Sequence, residues 1–503
     1  MRMDRNPTGE VYRLRLVFSL VAALIVAVVL PPGGSLMLRD PDTWWHIKVG
    51  LDILANGEMP TVDTYSYTFN GQPWIAKEWL AQILLAIAWR VGGWNGVVFS
   101  GVFCVALTAF CASWSLSRHL RPVIAAALSL VLVVLADPIF TARPHLFTLP
   151  LIVIWTSCLF EASGHKTEPP IWLLGVIWLW ANLHATFTLG FVIAGFAGLE
   201  VLAQKRFSDP KLLYQWIVFG TLCVIVTLLN PYGVRAILAT FSVAYGNEAV
   251  DLINEWGPFD ASSDRFQEYA ILAGFFGLLA SGIRISWPRA LFCIFTLHLY
   301  LTHGRFVYLF FLLVPLVCTA AVAARFPSLS INSWTKVSRD RTERFLLTNF
   351  AVVAPLLLAL TLVIPFIILT FQTHEPGEQT SAKEALIFVA EHKISGHVLN
   401  SYNLGGTLIF HGIPTFIDGR TDQLFLGGFA NSDNETLRQN GKPLLERQIE
   451  KYGIDWALLA RNDPRVAFFK DIPGWRRVYA NDYTVVFVRE GNGQQDDTGR
   501  NRT

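Results

Sequence analysis

Apolar residues fill long blocks of this chain and polar residues gather between them. The blocks lie at 16–30, 94–117, 122–138, 145–162, 170–182, 185–203, 212–229, 268–283, 289–302, 305–324 and 345–371. A helix perpendicular to the bilayer needs roughly 20 apolar residues, so the pattern predicts about eleven transmembrane helices, several of them short. Past Phe371 the pattern changes to apolar runs of a few residues separated by turns. Strands are expected at 397–401, 415–418, 456–459 and 483–488, and helices over 381–391 and 442–452. The organisation expected is therefore a transmembrane domain over 1–371, with a first outer loop at 31–93, and an extracytoplasmic α/β domain over 372–490. The tail 491–503 has too little apolar surface to fold and is expected to be disordered.

Composition agrees with a membrane-embedded chain. Of 503 residues, 53% are hydrophobic and 16% charged, against roughly 25% charged in a soluble domain. A net charge of +2, with no basic and aromatic groove, excludes a nucleic-acid partner. The six cysteines fall in apolar segments without a CxxC pair, so they read as small core residues, with neither disulfides nor a zinc site expected. The basic N-terminus ahead of 16–30 has the outline of a signal peptide but lacks an A-x-A cleavage site, and an uncleaved first spanning helix is expected.

Loop charge sets the expected orientation. With the N-terminus cytoplasmic, the loops at 115–122, 161–170, 203–211, 281–289 and 324–344 all fall inside and all carry Lys or Arg, as the positive-inside rule requires. This holds only if 78–91 does not span. That segment is read as an interfacial or re-entrant helix of the first outer loop, ended by Gly92-Gly93.

The polar motifs then collect on the outer face. The segment 39–80 is the densest, with Asp40, Asp42, Asp52, Asp63 and Glu78 interleaved with Trp44, Trp45, His46, Trp74 and Trp79. Asp40 and Asp42 sit two residues apart, where they could share a divalent cation such as Mg or Mn, or where one could take a proton from an acceptor hydroxyl. The competing reading is that they cap the helix starting near Thr43. His46 lies one helical turn from Asp42 and can form a proton relay with it, or be structural. Trp44 and Trp45 read as interfacial anchors or as stacking platforms for a sugar or lipid. Asp63 and Glu78 are further substrate-contact candidates in the same loop.

Other outer turns add candidates. Asp137 and Arg143 flank one helix end, where Arg143 suits a phosphate or pairs with the acid. His145 follows them. Asn182 and His184 interrupt an apolar run. Asn230-Pro231-Tyr232-Gly233 reads as a turn. Glu255, beside Trp256, is a substrate-contact candidate. Arg305, at the outer end of a span, is a second phosphate candidate or a snorkelling side chain. In the terminal domain, Asp418 and Arg420 are acceptor-side candidates or a pair across a sheet end, and Gly405-Gly406 reads as tight-turn chemistry.

Acids directly after the first helix, an interfacial helix, a second acidic outer turn, about eleven spans and a terminal extracytoplasmic domain together resemble the GT-C class of glycosyltransferases. More narrowly, DPDTWWHIKVG, PTVDTYSYTFNGQPWIAKEWL, ARPHLFTLP, WLWANLHATFTLGF, LLNPYG and FIDGRTD look like a group of bacterial inner-membrane proteins with that layout. The resemblance covers most of the chain. It implies an inverting transferase that takes a sugar from a polyprenyl-phosphate-linked donor and gives it to an extracytoplasmic lipid, glycan or protein acceptor. Carried over, the base is Asp40 or Asp42, the second acid is Asp137, and the phosphate-binding arginines are Arg143 and Arg305. The chain departs from the class in lacking the doubled acidic pair before a Pro-Pro-Leu segment of the mannosyl and aminoarabinose enzymes and the WWD signature of the oligosaccharyltransferases. Two readings stand beside it: a non-catalytic scaffold of envelope polysaccharide assembly, and a lipid or sugar transporter, whose ionisable residues would lie in mid-span and whose sequence would show repeats.

Overall fold

The computed structural model describes residues 7–205, 209–244, 257–334 and 340–490. The chain forms two compact units, one of 1–37, 88–234 and 255–374, the other of 38–87, 235–254 and 375–503. The tail 491–503 lies outside the described residues.

The second unit carries a four-stranded sheet of order β1-β2-β4-β3, with β1 His397–Asn400, β2 Ile454–Ala460, β3 Trp475–Ala480 and β4 Thr484–Arg489. β1 and β2 run parallel, while β4 pairs antiparallel with β2 and β3. Helix Lys383–Glu391 lays Ala385, Leu386 and Val389 against Val398, Trp456, Leu458 and Val486 to form the core. Three of the expected strands and both expected helices are present.

The fourth expected strand, 415–418, is not in the sheet. Asn400 occupies its backbone instead: Oδ1 accepts the Phe416 N–H at 2.9 Å and Nδ2 donates to Ile417 O at 2.7 Å. The other side pairs with the loop that follows helix Asp42–Asn56. Thr415 N–H donates to Tyr65 O at 3.0 Å, and Tyr67 N–H donates to Thr415 O at 3.1 Å. Thr68 Oγ1 adds a bond to Phe416 O, and Gln423 exchanges two bonds with the backbone of Ile75. The compact unit is thus wider than 372–490, because residues 38–87 are part of its interior.

In the first unit every apolar block of the sequence is helical. Among the described residues seven helices are long and apolar enough to cross a membrane: Gly9–Met37, Trp79–Leu116, Pro144–His165, Phe187–Gln204, Pro210–Thr227, Gly304–Arg325 and Phe350–Thr370. The blocks at 122–138, 170–182, 268–283 and 289–302 form shorter helices, Pro122–Leu135, Leu173–Leu183, Arg265–Ser281 and Trp287–Thr302. Phe350–Thr370 packs on the first helix through Val17, Leu20 and Ala354, and exposes Val352, Leu356 and Phe366. Such an apolar outer face suits lipid rather than water.

The long helix Trp79–Leu116 breaks at Gly92 (φ −140°, ψ 17°) and Gly93 (φ 55°, ψ −142°). Gly93 adopts a conformation that a side chain would strain. The piece 79–91 rises only about 20 Å at 1.5 Å per residue, short of the roughly 30 Å hydrocarbon core. The break therefore falls at the glycine pair from which the sequence ended its non-spanning helix.

One charged pair fastens the first unit. Glu200, 2% exposed, receives Arg289 Nε and Ser286 Oγ on Oε1, both at 2.7 Å, and Ser163 Oγ on Oε2 at 2.6 Å. Arg289 spends its remaining donors on Val317 O at 2.7 Å and Phe160 O at 2.8 Å. Four helices meet at this ion pair, in which each guanidinium nitrogen of Arg289 makes a hydrogen bond. Removing one partner of a buried pair costs about 3–5 kcal/mol, because it strands the other charge. Glu200→Ala is expected to lower the melting temperature of the detergent-solubilised protein by several degrees, and Glu200→Ala with Arg289→Met to recover much of the loss. A single variant that melts like the wild type would show that the pair fastens nothing.

Candidate functional site

The carboxylate turn opens helix Asp42–Asn56. Asp40, 5% exposed, accepts the Asp42 N–H on Oδ1 at 2.9 Å. It thereby satisfies one of the donors that every helix start leaves open. Asp42 is half-buried.

Two glycines let this turn settle into the unit. A Cβ on Gly406 would stand 2.2 Å from Pro41 O, and one on Gly419 would stand 1.9 Å from Asp42 Oδ1 and 3.1 Å from Trp45 Nε1. Gly405 gives close approach to a different segment, where a Cβ would stand 2.6 Å from Asp418 Cβ and Ile417 O. Gly405 and Gly406 begin helix Gly405–Phe410 with ordinary helical backbone, so they serve close approach rather than a tight turn.

Trp44 and Trp45 are 6% and 7% exposed. Trp44 packs edge-on against Phe410 at 5.0 Å, and Trp45 lies over His46 at 3.6 Å. Burial of both rings inside this unit replaces the interfacial anchoring expected of them. The Trp45 indole N–H is buried with no hydrogen-bond partner among the described residues. His46, 1% exposed, has Nδ1 3.2 Å from Gln82 Nε2 and Nε2 3.8 Å from Glu78 Oε2. Gln82 donates to Nδ1, so the ring proton sits on Nε2, toward the Glu78 carboxylate.

Asp63, Asp418 and Arg420 are all 0% exposed. Arg420 grips Asp418 with Nε and Nη2, each at 2.8 Å, and reaches Asp63 Oδ1 with Nη1 at 2.5 Å. Thr415 Oγ1 donates to Asp418 at 2.8 Å, and the Tyr65 and Ser66 N–H groups donate to Asp63 at 2.9 and 3.3 Å. The guanidinium lies 5.2 Å from the Tyr65 ring and 5.0 Å from Trp74. Burial alone would lower the Arg420 pKa, but Asp418 and then Asp63 hold it above its ordinary value. Burial, with Asp52 beside the hydroxyl, pushes the Tyr65 phenol up. These three residues form an internal fastener, and no face of them is open to an acceptor.

In the first unit the structure brings His145, His184 and Arg305 into one neighbourhood together with two residues that sequence reasoning passed over, Thr186 and Tyr308. The rings of His145 and His184 are 6.1 Å apart. His145 Nε2 donates to Ile139 O at 2.8 Å, in the turn that starts with the exposed Asp137. The Thr186 N–H donates to His184 Nδ1 at 3.2 Å, with Thr186 Oγ1 2.8 Å from the same nitrogen. Thr186 Oγ1 in turn receives Trp180 Nε1–H at 3.1 Å and bonds the Tyr308 hydroxyl, which feels the charge of Arg305. A nitrogen that accepts a backbone N–H carries no proton, so Thr186 fixes His184 as the neutral Nε2–H tautomer. Tyr308 leads into a π-helical turn, Leu309–Leu313, a device frequent at functional positions. Nothing in the spacing of these residues announces that turn.

Arg143 is half-buried, just ahead of the 3-10 turn Pro144–Thr148. Asn182, 1% exposed, donates to Trp178 O at 2.8 Å and toward Leu229 O at 3.4 Å, which ties two helix ends together. Asn230 folds its own turn, accepting Tyr232 N–H at 2.8 Å, as the sequence predicts. Glu255 lies outside the described residues. Among the described residues no group of three or more His, Cys, Asp or Glu side chains is placed to hold a metal ion.

The fold is mostly helical, with one unit of helices long and apolar enough to cross a membrane and a second unit carrying a small terminal sheet. Two solved structures of ArnT from Cupriavidus metallidurans share it. The form bound to undecaprenyl phosphate superposes with a TM-score of 0.51 at 14% identity over 95% of this chain and 99% of that one. The apo form gives 0.50 at 16% identity over 94% and 97%. In sequence, the chain is 27% identical over 194 residues to undecaprenyl phosphate-alpha-4-amino-4-deoxy-L-arabinose arabinosyl transferase 1 of Sodalis glossinidius (strain morsitans). That match takes in 37% of this chain and about a third, 32%, of the length of the relative. No protein-family profile matches.

Two variants test this geometry. Arg420→Ala strands two buried carboxylates at a cost of about 3–5 kcal/mol, so limited proteolysis is expected to cut residues 375–490 far faster than in the wild type, with Arg420→Lys only partly protective. Equal cleavage rates would remove the fastener. In protein labelled with ¹⁵N-histidine, His184 is expected to show a single Nε2–H tautomer that becomes mixed in Thr186→Val. A wild-type spectrum with Nδ1 protonated would contradict the assignment.

Proposed function

We propose that this protein is a membrane glycosyltransferase that moves a sugar from a polyprenyl-phosphate-linked donor to an extracytoplasmic acceptor. The observation that carries the reading is the likeness over nearly the whole chain to a protein crystallised with undecaprenyl phosphate. The partial sequence match to an arabinosyl transferase named for an undecaprenyl-phosphate-linked sugar points the same way.

The chemistry asks for little. An acceptor hydroxyl oxygen attacks the anomeric carbon as the bond from that carbon to the phosphate oxygen breaks, with inversion. The hydroxyl proton goes to a carboxylate, and polyprenyl phosphate leaves with the bonding pair. The phosphate is already a good leaving group, so the protein supplies a base and cations to hold the departing charge.

In this reading Asp42 is the base. Asp40 spends an oxygen on the Asp42 N–H, which makes it a positioning residue for the turn. The buried Trp45 indole N–H, close to Gly419 as is Asp42 Oδ1, suits a donor to the acceptor hydroxyl. Arg143 and Arg305 bind the lipid phosphate, with His145 and the Nε2–H of His184 as neutral partners for donor oxygens, and Asp137 as the second acid. Mg or Mn, if the reaction uses one, would be held by Asp40 and Asp42 together with the donor phosphates, since such ions are commonly bound by one or two carboxylates plus phosphate oxygens. No step here runs through a cation. The protein is placed in the bacterial cytoplasmic membrane, with the basic loops inside and the sheet outside.

The test is transfer of radiolabelled sugar from a panel of polyprenyl-phosphate donors to cell-envelope extract by the purified protein. Wild type is expected to transfer label, with EDTA against Mg²⁺ or Mn²⁺ deciding whether the DPD turn uses a cation, and Asp42→Asn to lose about 10²–10⁴-fold, with Asp40→Asn retaining more. Arg305→Gln is expected to raise the KM for donor. No transfer from any donor, together with unchanged envelope composition in a deletion strain, would favour the scaffold or the transporter.

A further inference from the structure

The first unit holds a second polar cluster, at the other end of the helix that begins beside His145. Helix Leu149–His165 runs 17 residues, about 25 Å. Its far end, with the loops 115–122 and 161–170, surrounds a cavity of about 380 Å³ lined by Arg118, Cys158, Glu161, His165, Thr167 and Trp172, among others.

The charges of this cavity are unevenly matched. Both oxygens of Glu161 are taken, Oε2 by His119 Nε2 at 2.9 Å and Oε1 by His165 Nε2 at 2.8 Å. Among the described residues Arg118 bonds no carboxylate, although its charge acts on Glu161. Its Nη2 has the Cys158 sulfur at 3.5 Å, a weak acceptor. Arg15 adds a second guanidinium close enough for its charge to act on Arg118. It bonds Ser117 Oγ at 3.1 Å and Trp114 O at 3.0 Å and lies 4.4 Å from the Trp114 ring, again with no carboxylate bonded among the described residues, though the charge of Glu161 reaches it. Two fixed positive charges thus face one carboxylate that two histidines already occupy. Trp172, 54% exposed, lines the cavity, an indole of the kind found at headgroup depth.

A guanidinium at a membrane face that hydrogen-bonds no carboxylate among the described residues, its nearby acid already taken by two histidines, has room for an anion, and its planar fork matches phosphate oxygens. We propose that this cavity binds the phosphate of an anionic phospholipid headgroup, with Arg118 as the direct ligand, Arg15 adding charge, and Trp172 against the glycerol and upper acyl chain. The site takes no part in the transfer reaction and stands whether or not the protein is a transferase.

Native mass spectrometry of the full-length protein, released from nanodiscs of equal parts phosphatidylglycerol and phosphatidylcholine, tests the site. Wild type is expected to retain phosphatidylglycerol at least tenfold over phosphatidylcholine. Arg118→Gln is expected to lose that preference while keeping the wild-type melting temperature in detergent. Trp172→Ala is expected to weaken retention of the lipid without abolishing the preference for it. Millimolar inorganic phosphate that displaces the lipid and itself stabilises wild type but not Arg118→Gln would assign the site to free phosphate and overturn the lipid. Equal retention of both lipids by wild type, or an undiminished preference in a folded Arg118→Gln, would overturn the site altogether.

Discussion

A guanidinium sealed from water has to be neutralised where it lies, and Arg420 is the side chain on which the second unit depends. Its partners come from both ends of the sequence, Asp63 from the loop after helix Asp42–Asn56 and Asp418 from the terminal region. Neither acid is exposed, so neither can drift to solvent if the other segment leaves. The desolvation of three charged groups is offset only when all the hydrogen bonds around them are made, which holds residues 61–75 and 415–423 in one register. The same constraint sets the helix carrying Asp42 against Gly406 and Gly419, whose missing side chains give the carboxylate turn its room.

Burial sorts the ionisable groups of this chain into two kinds. Arg420 with its two acids, Arg465 between Asp433 and Asp463, and Glu200 with Arg289 are closed networks in which every charge meets its opposite. For Asp463, burial would raise the pKa, but Arg465 and Ser401 outweigh it and hold the carboxylate below its ordinary range. Asp42, Arg143 and Arg305 are only half-buried. A group asked to exchange a proton or hold a phosphate cannot be sealed in, so these are the ones assigned to chemistry.

Most of the helical architecture was legible in the pattern of apolar residues, because lipid and core select the same side chains and a helix alone satisfies its own backbone in lipid. The break at Gly92-Gly93 was legible for the same local reason. The sheet was half legible. Helix 442–452 and the strand near 456–459 follow their periodicity, whereas 415–418 reads as a strand and instead pairs with a loop 350 residues earlier in the chain, an outcome no local signal carries.

The candidate site divides in the same way. The sequence by itself determined which residue types could do the work: the DPD turn, the arginines and histidines at helix ends, and the two glycine motifs all stand out from their apolar surroundings. Only the tertiary structure decided which of them are spent on holding the protein together. Asp63, Asp418 and Arg420 look as reactive as Asp42 on paper, and differ from it because long-range packing closes water out around them. Thr186 and Tyr308 look like ordinary helix residues and gain their role from a hydrogen bond to His184 and a bond to each other. Spacing along the chain fixes chemistry, but solvent access and hydrogen-bond partners are properties of the fold.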